Sequence, residues 1–74
     1  MNNIRNNEYI SAFGKHLRSV RNAQKMSMEK LAQTAGMEYS QISDIELGKI
    51  NTTISTVQAL AIALGKVPKD LFDF

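Results

Sequence analysis

Cysteine is absent from the 74 residues, and proline and histidine each occur once. Without cysteine there is no disulfide framework and no thiolate zinc site, and a reducing interior is the natural setting. The longest purely apolar run, residues 59–64, is too short for a signal peptide or a membrane span. A cytoplasmic chain with no membrane partner is therefore expected. A lone histidine, no phosphate-cradling glycine loop and no inward-facing carboxylate pair leave no catalytic constellation, so the chain does not read as an enzyme. No metal site and no cofactor are expected either, and His16 reads as a surface or packing residue. Negative charge is scarce at one end: residues 1–25 hold Arg5, Lys15, Arg18, Arg21 and Lys25 against Glu8 alone. Such an excess suits a polyanion, although the net charge of the whole chain is only +2.

The 43% hydrophobic content suffices for one small core, whose stability leans on well-made helix ends and on help from a partner chain. Residues 1–7, MNNIRNN, have no periodicity and read as a disordered arm; residues 8–74 read as one domain. From Glu8 the apolar positions Ile10, Phe13, Leu17 and Val20 fall at helical spacing. Gly14 inside this helix costs roughly 1 kcal/mol against Ala, which close packing of another backbone would justify. Ser27 is a good N-cap for a second helix, with Met26 and Leu31 placed to form a hydrophobic staple. Met28, Leu31, Ala32 and Ala35 make its apolar stripe, and Gly36 supplies a left-handed stop. A third helix is expected over residues 38–47, ended by Gly48, with Ile42 and Ile45 inward. Thr53 caps a fourth, whose stripe is Ile54, Val57, Leu60, Ala61 and Leu64 and whose stop is Gly65. Pro68 then suits the first position of a last short helix over residues 69–72. Nothing alternates with a period of two, so the fold class is all-α, with five helices.

The third helix poses a question. Opposite its inward isoleucines lie Tyr39, Ser40, Ser43, Asp44 and Leu47, where an ordinary solvated face would carry more Lys and Glu. Two short helices joined by a tight glycine turn and set among three others form a helix-turn-helix. Here the sequence resembles the phage-repressor type of helix-turn-helix family, also called Cro-like or Xre-like. The matching segments begin with Leu17-Arg18-Ser19-Val20-Arg21, Ser27-Met28-Glu29-Lys30-Leu31-Ala32 and Ala35-Gly36-Met37. They continue with Ile42-Ser43-Asp44-Ile45-Glu46-Leu47-Gly48-Lys49, Asn51, Leu60-Ala61-Ile62-Ala63-Leu64-Gly65 and Asp70-Leu71-Phe72. The resemblance covers about residues 12 to 72 and implies a five-helix, lambda-repressor-like domain whose partner is double-stranded DNA.

In that family the third helix lies in the major groove, which by position makes Tyr39, Ser40, Ser43 and Asp44 the base-contacting residues. Their chemistry is permissive: serine donates or accepts, tyrosine offers a hydroxyl and a ring face, and aspartate accepts from cytosine. None gives the strong bidentate readout of Arg or Gln, so phosphate contacts and DNA shape are expected to supplement them. Helix N-termini welcome phosphate, which makes Ser27, Met28, Asn51, Thr52 and Thr53 candidates, with Lys49 beside them and Gln41 on the recognition helix. Simple helix capping is an equal reading of Ser27 and Thr53, and both roles can coexist. The family usually has Gln where Met28 stands, and methionine cannot replace that amide. Glu38 occupies the position where Ser or Thr usually caps the recognition helix. Arg21 and Glu46 are expected to form a structural ion pair between the first and third helices, as family members do, because unpaired buried charge is expensive. Lys15, Arg18 and Lys25 read as solvated. Arg5 reads as disordered rather than inserted in a minor groove.

A sequence-specific regulator, most simply a repressor, is the function this implies. A homodimer reading a palindrome with half-sites about one helical turn apart would double a small footprint. Val67, Leu71, Phe72 and Phe74 either close the core or supply the two-fold interface. A chain of this length leaves no room for an inducer domain, so control falls to concentration, proteolysis or a protein partner such as a toxin or co-regulator. An antitoxin repressing its own operon and a restriction–modification controller fit equally well. The acidic Glu38 and Asp44 keep a second expectation open, a helix-turn-helix module used for protein contact without DNA.

Overall fold

The computed structural model describes residues 4–74, and Met1, Asn2 and Asn3 of the expected arm lie outside them. Four α-helices follow one another: α1 (Asn7–Ala23), α2 (Met28–Ala35), α3 (Tyr39–Glu46) and α4 (Ile54–Ala63). The fifth expected helix is a single 3-10 turn, Pro68–Phe72. Five residues starting at a proline and closed by Asp73 are too few for the i→i−4 ladder to develop. No strand occurs among the described residues. The first helix also starts earlier than expected. Asn6, placed in the arm by its sequence, takes extended backbone and accepts the Tyr9 N–H on its side chain, and Asn7 is the first helical residue. An asparagine cap supplied the start signal that periodicity lacked.

The core is Phe13 and Leu17 of α1, Leu31 and Ala32 of α2, Ile42 and Ile45 of α3, Val57, Leu60 and Ala61 of α4, then Leu64 and Leu71. Met26, Met28, Val20 and Ala35 pack around it, half-buried. Ile54, expected in the α4 stripe, is instead 89% exposed. Its side chain leans toward the helix N-terminus, as all helical side chains do, and in the first turn that direction overshoots the core.

Gly14 marks the closest approach in the fold. A Cβ on it would fall on the carbonyl oxygens of Ile45 and Glu46. The end of α3 thus rests directly on the backbone of α1, which is why a helix-weakening residue occupies mid-helix. Gly48, at φ 73°, turns the chain away from α3, and a Cβ there would lie 3.0 Å from the Ser11 Cα. Both glycines let α3 lie flush against α1.

The C-terminal turn is fastened to α1 from two sides. His16 Nε2 donates to the Asp70 carbonyl at 2.8 Å, and the Phe72 ring sits 5.1 Å from that of Phe13. Of the four terminal apolar residues, Leu71 closes the core; Val67, Phe72 and Phe74 stay substantially exposed. Gln24 Nε2 donates to the Leu64 carbonyl at 2.7 Å, tying the end of α1 to the end of α4.

Candidate nucleic-acid interface

The candidate site is the outward side of α3. Eight residues rising about 1.5 Å each give a rod of about 12 Å, close to the width of a major groove. Ile42 and Ile45 are fully buried, and the 100° step then turns the remaining residues outward. Tyr39 is half exposed and Leu47 60% exposed; Ser40 and Gln41 are exposed, and Ser43 and Asp44 half-buried. At the start of the helix the Glu38 N–H donates to Gln41 Oε1 at 2.9 Å. Glu38 therefore occupies the cap position, with Gln41 reaching back to satisfy one orphan donor. That leaves the Gln41 NH2 group for an outside acceptor.

What holds the rod is Arg21 and Glu46. Arg21 Nε donates to Glu46 Oε2 at 2.6 Å and Nη2 to Oε1 at 2.9 Å. A third donor, Nη1, reaches the Met26 carbonyl at 2.8 Å. Both side chains are almost fully buried. The Glu46 carboxylate, chiefly by hydrogen bonding, holds the guanidinium above the ordinary arginine pKa, although burial opposes it. One guanidinium thereby joins α1, the loop before α2, and α3 in a planar bidentate arrangement. A lysine offers no such fork.

The other expected residues belong to the segments before and after this rod in the chain. Ser27 accepts the Lys30 N–H at 3.0 Å, so it caps α2. Thr53 accepts the Thr56 N–H at 3.2 Å and donates to Thr56 Oγ1 at 3.0 Å, which engages its hydroxyl fully within α4. Met28 packs half-buried on the core and offers no polar group. Lys49 and Asn51 are exposed and Thr52 half-buried, on the turn that follows Gly48.

One arginine departs from expectation, and a second, Arg18, is solvent-exposed as expected but borders a cleft. Arg5 is ordered: Nε donates to Asn7 Oδ1 at 2.8 Å and Nη2 to the Lys49 carbonyl at 3.0 Å. The segment before α1 is thus pinned to the turn after α3, a long-range contact that no periodicity could signal. Arg18 lines a cleft with Arg21, Met28, Ser43, Glu46 and Leu47. Its spacing from Gly14 and Arg21 was the available signal, since residues three and four apart share a helix face.

The helix-turn-helix family model matches residues 17–72, three-quarters of the chain. The chain belongs to the helix-turn-helix family. Its relatives are regulators of the Xre-like type, and this protein is a helix-turn-helix transcriptional regulator. It is 41% identical over 63 residues to the control protein C.BamHI of Bacillus amyloliquefaciens, covering 84% of this chain and 78% of that one. It is 35% identical over 52 residues to the immunity repressor protein of Bacillus phage phi105, covering 70% of this chain but only 36% of that one. Among solved structures, the restriction–modification controller protein C.AhdI from Aeromonas hydrophila superposes with a TM-score of 0.83 at 34% identity. That superposition covers 88% of this chain and 97% of that one. No helix among the described residues is long and apolar enough to cross a membrane.

Proposed function

We propose that this regulator is a sequence-specific DNA-binding repressor that works in the cytoplasm as a homodimer, with α3 in the major groove of a palindromic operator. The observation that carries the proposal is the contrast between the two sides of α3. Its inward side is locked by two fully buried isoleucines and a bidentate ion pair. Its outward side presents the exposed hydroxyls of Tyr39 and Ser40 and the half-buried Ser43 hydroxyl and Asp44 carboxylate, none of them hydrogen-bonded by another described residue. A rigid rod with an uncommitted polar face is what base-edge readout requires. Tyr39, Ser40, Ser43 and Asp44 read bases in this proposal. Ser27, Gln41, Lys49, Asn51 and Thr52 contact phosphate, Ser27 through the hydroxyl proton that capping leaves free. Met28 and Thr53 add only backbone contacts in this proposal.

In such a dimer the two recognition helices lie about 34–36 Å apart, one turn of DNA, a spacing on the scale of the domain's longest extent of 39 Å. The exposed Ile50, Ile54, Val67 and Phe72 give an apolar surface for the two-fold contact. Similarity to the control protein C.BamHI and to the restriction–modification controller protein C.AhdI favours a controller role over an antitoxin role. Selection of bound duplexes from a randomised pool, followed by sequencing, tests the proposal. An enriched palindrome supports a dimeric reader, and its spacing gives the dimer geometry. No enrichment and no retention at low salt would reject it.

A second reading, protein contact without DNA, draws on the uncompensated carboxylates of Glu38 and Asp44, which repel phosphate. The salt dependence of duplex affinity separates the two, because phosphate neutralisation releases counterions and protein contact does not.

A further inference from the structure

Three arginines occur in the chain, and two are committed internally: Arg5 to Asn7 and the Lys49 carbonyl, Arg21 to Glu46 and the Met26 carbonyl. Arg18 is exposed and makes no hydrogen bond or ion pair among the described residues. It is nevertheless not placed at random in solvent. It sits on the rim of the cleft where α1, α2 and α3 meet, beside Ser43 and Leu47 of the recognition helix. No described residue of the cleft, Ser43 included, is hydrogen-bonded to it. Met28 and Leu47 are apolar, and Glu46 already gives both oxygens to Arg21.

The geometry points to Arg18 as a DNA phosphate contact, made by α1 on the strand that borders the groove occupied by α3. This rests on the DNA-reading function proposed above. Arg18 neighbours the second half of α3, not its first turn with Tyr39 and Ser40, so it meets the backbone beside the groove rather than base edges within it. The guanidinium fork matches a phosphate in a bidentate way. Because α1 holds α3 through Gly14 and Arg21, one rigid unit carries both the sequence-reading face and this positioning charge. Arg18 thereby supplies a long cationic donor on a side where Met28 offers none.

The test compares the unmodified protein with Arg18→Gln, Arg18→Lys and Lys15→Gln, using an enriched duplex and a random-sequence duplex between roughly 50 and 200 mM salt. Lys15 is the control, an exposed cation on the same helix that sits in a depression with Asn7, Glu8 and Ser11 and does not line the cleft. Arg18→Gln is expected to lower the slope of log affinity against log salt by about 0.9 per protomer and to weaken binding to both duplexes alike. Arg18→Lys should keep the slope, and Lys15→Gln should leave it unchanged. Melting curves of all four proteins should coincide, since the side chain is exposed. An unchanged slope in Arg18→Gln, a loss no larger than that of Lys15→Gln, or a loss confined to one base position would overturn the assignment to phosphate. Failure of the unmodified protein to bind either duplex at low salt would instead overturn the DNA-reading proposal, and Arg18 with it.

Discussion

Leaving the Arg21–Glu46 pair half-made should harm this domain more than removing it. Glu46→Leu strips the acceptor from two charge-assisted hydrogen bonds and strands a guanidinium whose side chain is only 9% exposed. Orphaning one member of a buried pair costs about 3–5 kcal/mol. The lower end applies here, because the pair borders a cleft open to water that partly rehydrates the stranded charge. A chain of 74 residues at about 0.05–0.15 kcal/mol per residue has about 4–11 kcal/mol in total. A loss of about 3 kcal/mol thus takes a large share and lowers Tm by roughly 12–24 °C. Arg21→Met should do slightly worse, since it also deprives the Met26 carbonyl of its donor, worth about 1 kcal/mol.

The double variant Arg21→Met/Glu46→Leu removes both charges and keeps most of the volume, a change that is often close to neutral. It should melt above either single variant, within about 8 °C of the unmodified protein, the remaining deficit being the unpaired Met26 carbonyl. Thermal denaturation followed by circular dichroism reads all four corners of the cycle. If the two single losses simply add in the double variant, or each single variant melts within about 4 °C of the parent, the pair does not lock α3 and the argument fails.

Gly14→Ala reverses the usual helix rule: the propensity gain of about 1 kcal/mol is outweighed by overpacking against the Ile45 and Glu46 carbonyls, typically about 1–3 kcal/mol. Tm should fall by several degrees, and a rise would refute the close approach. Met28→Gln places an amide at the start of α2, where one extra hydrogen bond of about 0.5–1.5 kcal/mol should tighten duplex binding several-fold. Equal or weaker affinity would show that this position does not face the duplex. Ile54→Glu, at a residue 89% exposed on the single chain, should keep the helical circular dichroism spectrum while shifting the sedimenting species from dimer to monomer, with Tm lowered only by the lost dimer linkage. A dimer that survives the charge places the interface elsewhere.

How much of this was legible depended on the range of the interaction. The stripes that became the core, the caps at Ser27 and Thr53 and the stops at Gly36 and Gly48 are local devices, and local spacing displays them. Gly14 could be suspected only as an anomaly, a cost without a visible return, until Ile45 and Glu46 came to rest on it. Ile54 shows the limit of periodicity, since a wheel gives direction around the axis but not whether any core lies beneath the first turn. Arg5, His16 and Gln24 were opaque for a different reason: each serves a backbone carbonyl, at Lys49, Asp70 and Leu64, and every residue in a sequence offers the same carbonyl. Arg21 and Glu46 attracted attention because two charges on apolar flanks demand each other. Arg18 lies on the same face of the same helix with no such partner among the described residues, and that missing partner is the reason to look for its anion on another molecule.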